Sequence, residues 1–331
     1  MLNRVLITGS TGLIGRALIP VLLERGFNVR AQVRDLPRAR AQFSNEKYFH
    51  RIEFIECDFA RSADNDFNSL VRECSTVIHL AGLVHQPDAL YQDYELLNVR
   101  ATEQLIKAAK FSNVRTFLLF STSAVYGSGP FVMIDENTPL KADTPYAVSK
   151  KLCENLAQNT AEFERVVSLR PALVFGIGDR GNLIKLIQSI KKKRFVHIGN
   201  GETTKSLIYA KDLALGVALC LEKLPIGQHT LNIANPKQVS LKELAKEISL
   251  ALGQSEFIPT IPAGLLKAGT LVADKLMPGV LPISTEQLNK LSTSTTLCVE
   301  RLVKATDFQP RYSLATALKE EIDWARQAGL L

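Results

Sequence analysis

Thr8-Gly9-Ser10-Thr11-Gly12-Leu13-Ile14-Gly15 directly follows the apolar run Val5-Leu6-Ile7 and leads into an amphipathic stretch from Leu13 to Arg25. Strand, tight turn and helix are predicted in that order. A turn of this kind lets backbone amides and a helix N-terminus approach a pyrophosphate. Gly9 would shape the turn, Gly12 would permit close approach and Gly15 would let the helix pack on the strand. The spacing is GxxGxxG, one residue different from the common dinucleotide fingerprint. Its meaning comes from its place between a strand and a helix.

Outward from that loop the pattern alternates. Gly26 closes the first helix, and strands are predicted at Val29 to Val33, Ile52 to Cys57, Thr76 to Ala81, Thr116 to Ser121 and Val166 to Arg170. Helical stretches separate most of them, notably Tyr94 to Phe111 and Tyr146 to Phe163. The predicted fold class is α/β, a Rossmann-type doubly wound parallel sheet covered on both faces. Ligands of such sheets lie beyond the carboxyl ends of the strands. Those ends carry Asp58, His79-Leu80-Ala81-Gly82, Ser121-Thr122-Ser123 and Arg170-Pro171. Beyond about residue 175 the pieces shorten and Pro and Gly become more frequent. Residues 1–175 are therefore expected to form a dinucleotide-binding domain, and 176–331 mainly a smaller C-terminal substrate-binding lobe. The apolar segment Leu265 to Leu276 has helical spacing, and core or interlobe packing is favoured over a membrane-surface helix.

Tyr146-Ala147-Val148-Ser149-Lys150 carries the chemistry. A phenol has an ordinary pKa near ~10 and is a poor acid or base at neutral pH until a nearby cation favours the phenolate. Lys150, four residues on, supplies that cation from the same helix face. Thr144 can cap the helix and Pro145 suits its first turn.

Composition narrows the function classes. At 331 residues and 46% hydrophobic content the chain can bury a substantial core. Its formal charge of +7 suits an anionic ligand. The basic residues are scattered among acids, apart from Lys191-Lys192-Lys193-Arg194, which reads as a solvated helix end, so no nucleic-acid partner is expected. The five cysteines, at 57, 74, 153, 220 and 298, include no C-x-x-C pair, and the five histidines, at 50, 79, 85, 197 and 229, show no metal-ligand spacing. No metal is assigned, and His79 reads as core. Without a secretory leader or a membrane-length apolar span, a cytoplasmic protein with no membrane span is expected.

In order and spacing, these motifs resemble the extended short-chain dehydrogenase/reductase family, over nearly the whole length. The likeness rests on the glycine loop, Cys57-Asp58, His79 to Gly82, Asn98-Val99, Ser121 to Gly127, Tyr146 to Lys150 and Arg170 to Gly176. It implies Tyr146 as catalytic acid/base, Lys150 as the group that lowers its pKa and holds the nicotinamide ribose, and Thr122 as hydrogen-bond donor to the reacting oxygen. Ser123 is a second candidate for that donor and a substrate contact. The resemblance further implies cofactor contacts at Gly9, Thr11, Gly12, Leu13, Ile14, Gly15, Arg34, Asp58, Phe59, Leu80, Ala81, Gly82, Asn98, Tyr146, Lys150 and Arg170.

Members that dehydrate sugar nucleotides across C4 and C6 carry Asp-Glu after the catalytic Thr. Here Ser123-Ala124 stands there, which argues against dehydration and leaves epimerases and ketoreductases. The chain is most similar to bacterial enzymes acting at C4 of UDP-linked hexosamines in surface-polysaccharide pathways. That likeness implies a nucleotide-sugar substrate, with Asn182 and Lys205 near the diphosphate and Val196 and Ile198 bordering the base. Lys205 replaces the usual Arg and loses its bidentate fork. At the end of the second strand, where NAD-preferring members place an acid, Val33 is followed by Arg34, so NADP is expected, with NAD as the alternative. A homodimer is expected from the outer faces of the two long helices, with Leu152, Leu156 and Phe163 exposed. The alternatives are a reductase of a non-sugar ketone and a non-catalytic dinucleotide sensor.

Overall fold

The computed structural model describes residues 4–84, 86, 88–198, 201–256, 258–261 and 293–331. The apolar segment Leu265 to Leu276 and His85 lie outside these described residues. The strands run β1 Arg4–Thr8, β2 Asn28–Val33, β3 Ile52–Glu56, β4 Thr76–His79, β5 Thr116–Phe120, β6 Phe131–Ile134, β7 Arg165–Pro171 and β8 Leu173–Phe175. They continue as β9 His197–Ile198, β10 Thr204–Lys205, β11 Leu207–Tyr209, β12 Gly227–Ile233, β13 Val239–Ser240, β14 Thr260–Ile261 and β15 Thr295–Leu297. The helices are α1 Leu13–Glu24, α2 Leu36–Phe43, α3 Asp64–Val71, α4 Tyr91–Tyr94, α5 Ala101–Phe111, α6 Pro145–Gln158, α7 Asn182–Lys191, α8 Ala210–Lys223, α9 Leu241–Leu252, α10 Glu300–Thr306 and α11 Leu314–Gln327.

Seven strands form one all-parallel sheet in the order β12-β7-β5-β4-β1-β2-β3. This is the doubly wound, Rossmann-like arrangement that the alternation predicts. Its central strands are continuous apolar runs because both faces are covered. On one face, Leu18, Leu22, Leu213, Ala214 and Val217 of α1 and α8 pack with Val5, Ile7 and Ile78. On the other, Leu105, Ala109, Cys153 and Ala157 of α5 and α6 pack with Leu6, Val77, Phe117 and Leu119.

The smaller lobe holds a four-stranded sheet, β13-β10-β15-β6, and a core in which α7, α9 and α11 meet. The boundary expected at residue 175 does not divide the chain cleanly. Strand β12, from beyond it, is the seventh strand of the large sheet, α8 packs against α1, and β6, from before it, joins the small sheet.

Two predicted helices differ in detail. Between α4 and α5 the chain takes one π-helical stretch, Glu95–Arg100. Helix α6 ends at Gln158, and Phe163 lies in the core stacked on Phe117 at 5.3 Å, not on an outer face. Leu156 is also drawn partly into that core, while Leu152 remains 37% exposed.

Candidate active site

The glycine loop is set by its neighbours. Gly9 has φ +66°, and a β-carbon there would lie 2.9 Å from the Ala81 amide nitrogen, so both conformation and space require glycine. A β-carbon at Gly15 would run into the Ser10 backbone, which fixes how closely α1 approaches the loop. The loop is tied to β2 by a residue the motif reading missed. Buried Gln32 accepts from the Gly9 amide (2.9 Å) and donates to the Cys57 carbonyl (2.5 Å), while Ser10 Oγ donates to the Gln32 carbonyl (2.6 Å). A polar residue near the carboxyl end of a buried strand, NVRAQV, was the available signal.

Beside the loop, buried His79 shares hydrogen bonds with the hydroxyls of Thr8 (2.7 Å) and Thr102 (3.0 Å), and the Ala81 amide donates to Thr8 Oγ1. Burial, and then the charge of Lys150, push the imidazole pKa down to about 3, so it stays neutral. Phe59 stacks on Phe67 at 5.1 Å, and Asp58 caps the turn after β3 through the Ala60 amide. Arg34 is exposed at the end of β2, next to Asp35, which caps α2 by accepting from the Arg38 amide.

Thr144 caps α6 as expected, accepting from the Ala147 amide at 3.2 Å, and the helix carries buried Tyr146 and Lys150 into the cleft. Tyr146 is hydrogen-bonded to Thr122, whose hydroxyl also accepts from the Ala124 amide. The structure thus pairs the two expected catalytic hydroxyls. The electrostatics correct one expectation. Burial pushes the Tyr146 phenol up to about 12, and the group that chiefly opposes this is Thr122. Lys150 instead donates to the Phe120 carbonyl at 2.9 Å, and its own pKa is lowered by burial.

Asn98, in the π-helical stretch, is fully buried. Its side-chain Oδ1 accepts from the Leu83 amide (2.6 Å), and its Nδ2 donates to the Leu83 carbonyl (3.1 Å) and Ser149 Oγ (2.9 Å). It thereby pins the segment after Gly82 to α6. A β-carbon at Gly82 would sit 3.2 Å from Lys150 Nζ. Nearby, Ser121 Oγ is buried without a hydrogen-bond partner among the described residues. This backbone cradle, a buried lysine and an orphaned hydroxyl fit a dinucleotide lying from the glycine loop to Tyr146.

Arg170 departs from the expected cofactor contact. Its guanidinium grips Glu154 of α6 at 2.9 and 2.6 Å and donates to Tyr126 Oη at 2.9 Å, and that hydroxyl donates to Asn232. All four side chains are buried, so its forked pairing serves the sheet and α6. Of the expected substrate contacts, Ser123 opens a 3-10 turn after Thr122, and Asn182 is exposed at the start of α7. Val196 directly precedes β9, to which Ile198 belongs. Lys205 lies on β10, where its ammonium bonds the Thr293 carbonyl and Thr295 hydroxyl and burial lowers its pKa to about 8. Among the described residues no group of three His, Cys, Asp or Glu could hold a metal ion, and no helix is long and apolar enough to cross a membrane.

The profile described as the NAD dependent epimerase/dehydratase family matches residues 5–234. A ketoreductase of 4-hydroxy-2-methyl-3-oxo-4-farnesyl-3,4-dihydroquinoline-1-oxide from Stigmatella aurantiaca is 25% identical, covering 98% of this chain and 96% of its own. A dTDP-4-dehydro-6-deoxy-D-allose reductase from Streptomyces bikiniensis is 27% identical over 97% and 96% of the two chains. Among solved structures, UDP-glucuronic acid 4-epimerase from Bacillus cereus in complex with NAD superposes with a TM-score of 0.78 at 22% identity, covering 98% and 99%.

Proposed function

The chain belongs to the NAD dependent epimerase/dehydratase family, and from that premise we propose that it moves hydride to or from C4 of a nucleotide sugar. The substrate class is a UDP-linked hexose or hexosamine, and the reaction is a 4-epimerisation or a 4-ketoreduction serving surface-polysaccharide synthesis. The hydrogen-bonded Tyr146–Thr122 pair, with Lys150 one helical turn away, is the observation that carries this reading. The loop from Gly9 to Gly15, with Gly82, Lys150 and Ser121, would hold the dinucleotide, and its nicotinamide supplies the two-electron step when bound.

The protein's own groups handle the proton. With its pKa near 12 the phenol is protonated at neutral pH, which suits delivery of a proton to a carbonyl oxygen. Thr122 holds the same oxygen and stabilises its developing charge. Working in the oxidative sense, Tyr146 must lose that proton, and its hydrogen-bond partner Thr122 is the group that opposes the effect of burial on the phenol. An epimerase uses Tyr146 in both senses within one turnover. Ser123-Ala124 supplies no further acid or base, in keeping with hydride transfer without elimination.

Asn182 and Lys205 are the proposed diphosphate contacts, with Val196 and Ile198 beside the base. The preferred cofactor is NADP(H), on the strength of Val33-Arg34 at the end of β2. Its free cysteines, four of them buried, suit a reducing cytoplasm. The test incubates the protein with UDP-hexosamines and their 6-deoxy-4-keto derivatives, with and without NAD(P)H, and follows C4 by NMR. Interconversion without net cofactor consumption identifies an epimerase, and stoichiometric NAD(P)H oxidation a ketoreductase. No turnover, together with no binding of UDP at millimolar concentration, would overturn the sugar-nucleotide reading. The second reading, reduction of a non-sugar ketone, would then lead. It is favoured by the likeness to the quinoline-oxide ketoreductase, which spans nearly the whole of both chains.

A further inference from the structure

After β4 the described residues from Ala81 to Gln86 belong to no helix or strand. A segment of this kind has no ladder to satisfy its backbone, so its polar groups need partners elsewhere. Two buried side chains supply them in the same manner, one for each end. Asn98 takes both backbone groups of Leu83 through its side-chain amide. Tyr94, buried at the end of α4, does the same for Gln86: its hydroxyl accepts from the Gln86 amide at 3.1 Å and donates to the Gln86 carbonyl at 3.5 Å. That carbonyl also accepts from the Ala89 amide at 3.3 Å, so the Gln86 N–H is the group that relies on Tyr94. Both clasps also reach α6. Asn98 Nδ2 donates to Ser149, and the Tyr94 ring lies 6.3 Å from the Tyr146 ring, tilted by 56°. The segment is thus held along α6, with Gly82 at Lys150 and Gln86 tethered to the side chain that packs on Tyr146.

We infer that Tyr94 is a positioning residue for the reacting sugar: through Gln86 it fixes the segment after Gly82 as the wall that turns the sugar ring toward Tyr146 and Thr122. The inference rests on the sugar-nucleotide reading of the site. Tyr94 acts through other groups, since its hydroxyl is engaged by the Gln86 backbone and its ring by Tyr146. Val84, between the two clasps, is 58% exposed, so packing holds the segment little and the tethers hold it much. Loss of one tether lets the wall move by a fraction of an ångström, and shifts of that order separate atoms that must meet at near-contact distance. The dinucleotide, along the glycine loop and Lys150, does not depend on this tether. Neither does the diphosphate proposed at Asn182 and Lys205. Only the sugar does.

Tyr94→Phe keeps the ring and removes the tether alone. In the C4 assay it should raise the KM of the sugar nucleotide about five- to tenfold, the scale of one lost hydrogen bond. Dinucleotide affinity and the inhibition constant of UDP should stay within about twofold. A merely structural role would instead lower the melting temperature and the active fraction and leave KM alone. Tyr94→Leu should raise KM alike and also lower kcat, because the Tyr146 ring loses its neighbour. Hydrogen exchange followed by mass spectrometry reads the tether without any substrate. The peptide containing Gln86 should exchange faster in Tyr94→Phe, while peptides of α6 keep their rate. Unchanged exchange at Gln86, or faster exchange with an unaltered KM, would overturn the inference. So would an equal weakening of UDP, which would place the loss at the diphosphate. If no sugar nucleotide reacts while exchange at Gln86 rises, the proposed reaction is defeated and the tether is confirmed. Turnover of a sugar nucleotide with the same KM in both proteins defeats only this inference.

Discussion

Burial pushes the Tyr146 phenol's pKa up to about 12, which keeps it protonated at neutral pH, and its hydroxyl is joined to Thr122. Removing that one oxygen leaves the packing of α6 untouched. Tyr146→Phe should therefore bind dinucleotide nearly as well as the unmodified protein and lose about 10² or more in turnover, the usual scale for a general acid. Near-normal turnover by a folded variant would remove Tyr146 from the reaction. At this scale the sequence was readable wherever a function depends on short spacing. Thr144, Tyr146 and Lys150 lie within one helical turn or two, and Gly9 to Gly15 within one loop and the first turn of α1. Gln32 was not readable, because its meaning lies in Gly9 and Cys57, 23 and 25 residues away. Arg170 was misassigned for a similar reason. Its partners Glu154 and Tyr126 are 16 and 44 positions distant, and only the sheet brings them together.

The contact between α11 and the loop after β8 stores a pH response. Glu321 of α11 is fully buried, and burial followed by the nearby Asp179 carboxylate raises its pKa to about 9, with the Gly176 backbone opposing. Asp179 is also raised by burial, against the amides of Gly181, Ile184 and Arg180. A carboxyl that keeps its proton when folded, but releases it near the ordinary ~4.3 when unfolded, favours the fold at low pH. That contribution declines as pH climbs from the ordinary glutamate range to about 9. Glu321→Gln cannot ionise, so its melting temperature should gain on that of the unmodified protein between pH 5.5 and 8.5. Parallel melting curves across that range would show that Glu321 does not carry the response. The elements themselves were largely legible, since five of the predicted strands match central strands of the sheet within a residue or two. The π-helical stretch was not, because periodicity alone does not register the extra residue that Asn98 needs to reach both Leu83 and Ser149.

On the molecular scale, the π-helical stretch, α5 and α6 each expose an apolar side chain, Leu96 (38%), Phe111 (87%) and Leu152 (37%). Phe163, expected in that group, is instead part of the core. A homodimer built on these helices remains the proposal, because exposed apolar side chains are covered by self-association. Light scattering should give twice the 36.6 kDa chain mass at micromolar concentration, and Leu152→Glu should reduce it. A single-chain mass for the unmodified protein would exclude the pairing. The lobe boundary was the least legible feature, because a change in texture near residue 175 does not reveal that the chain later returns. Strand β12 pairs with β7 over seven residues, from Gly227 to Ile233. As the chain leaves the ribosome, β7 must therefore wait as an unprotected edge, with the α1 face lacking α8, until some sixty further residues have been made. A truncation at residue 175 should accordingly leave a sticky, incomplete sheet, and a stop codon anywhere before β12 would strip the large sheet of its seventh strand.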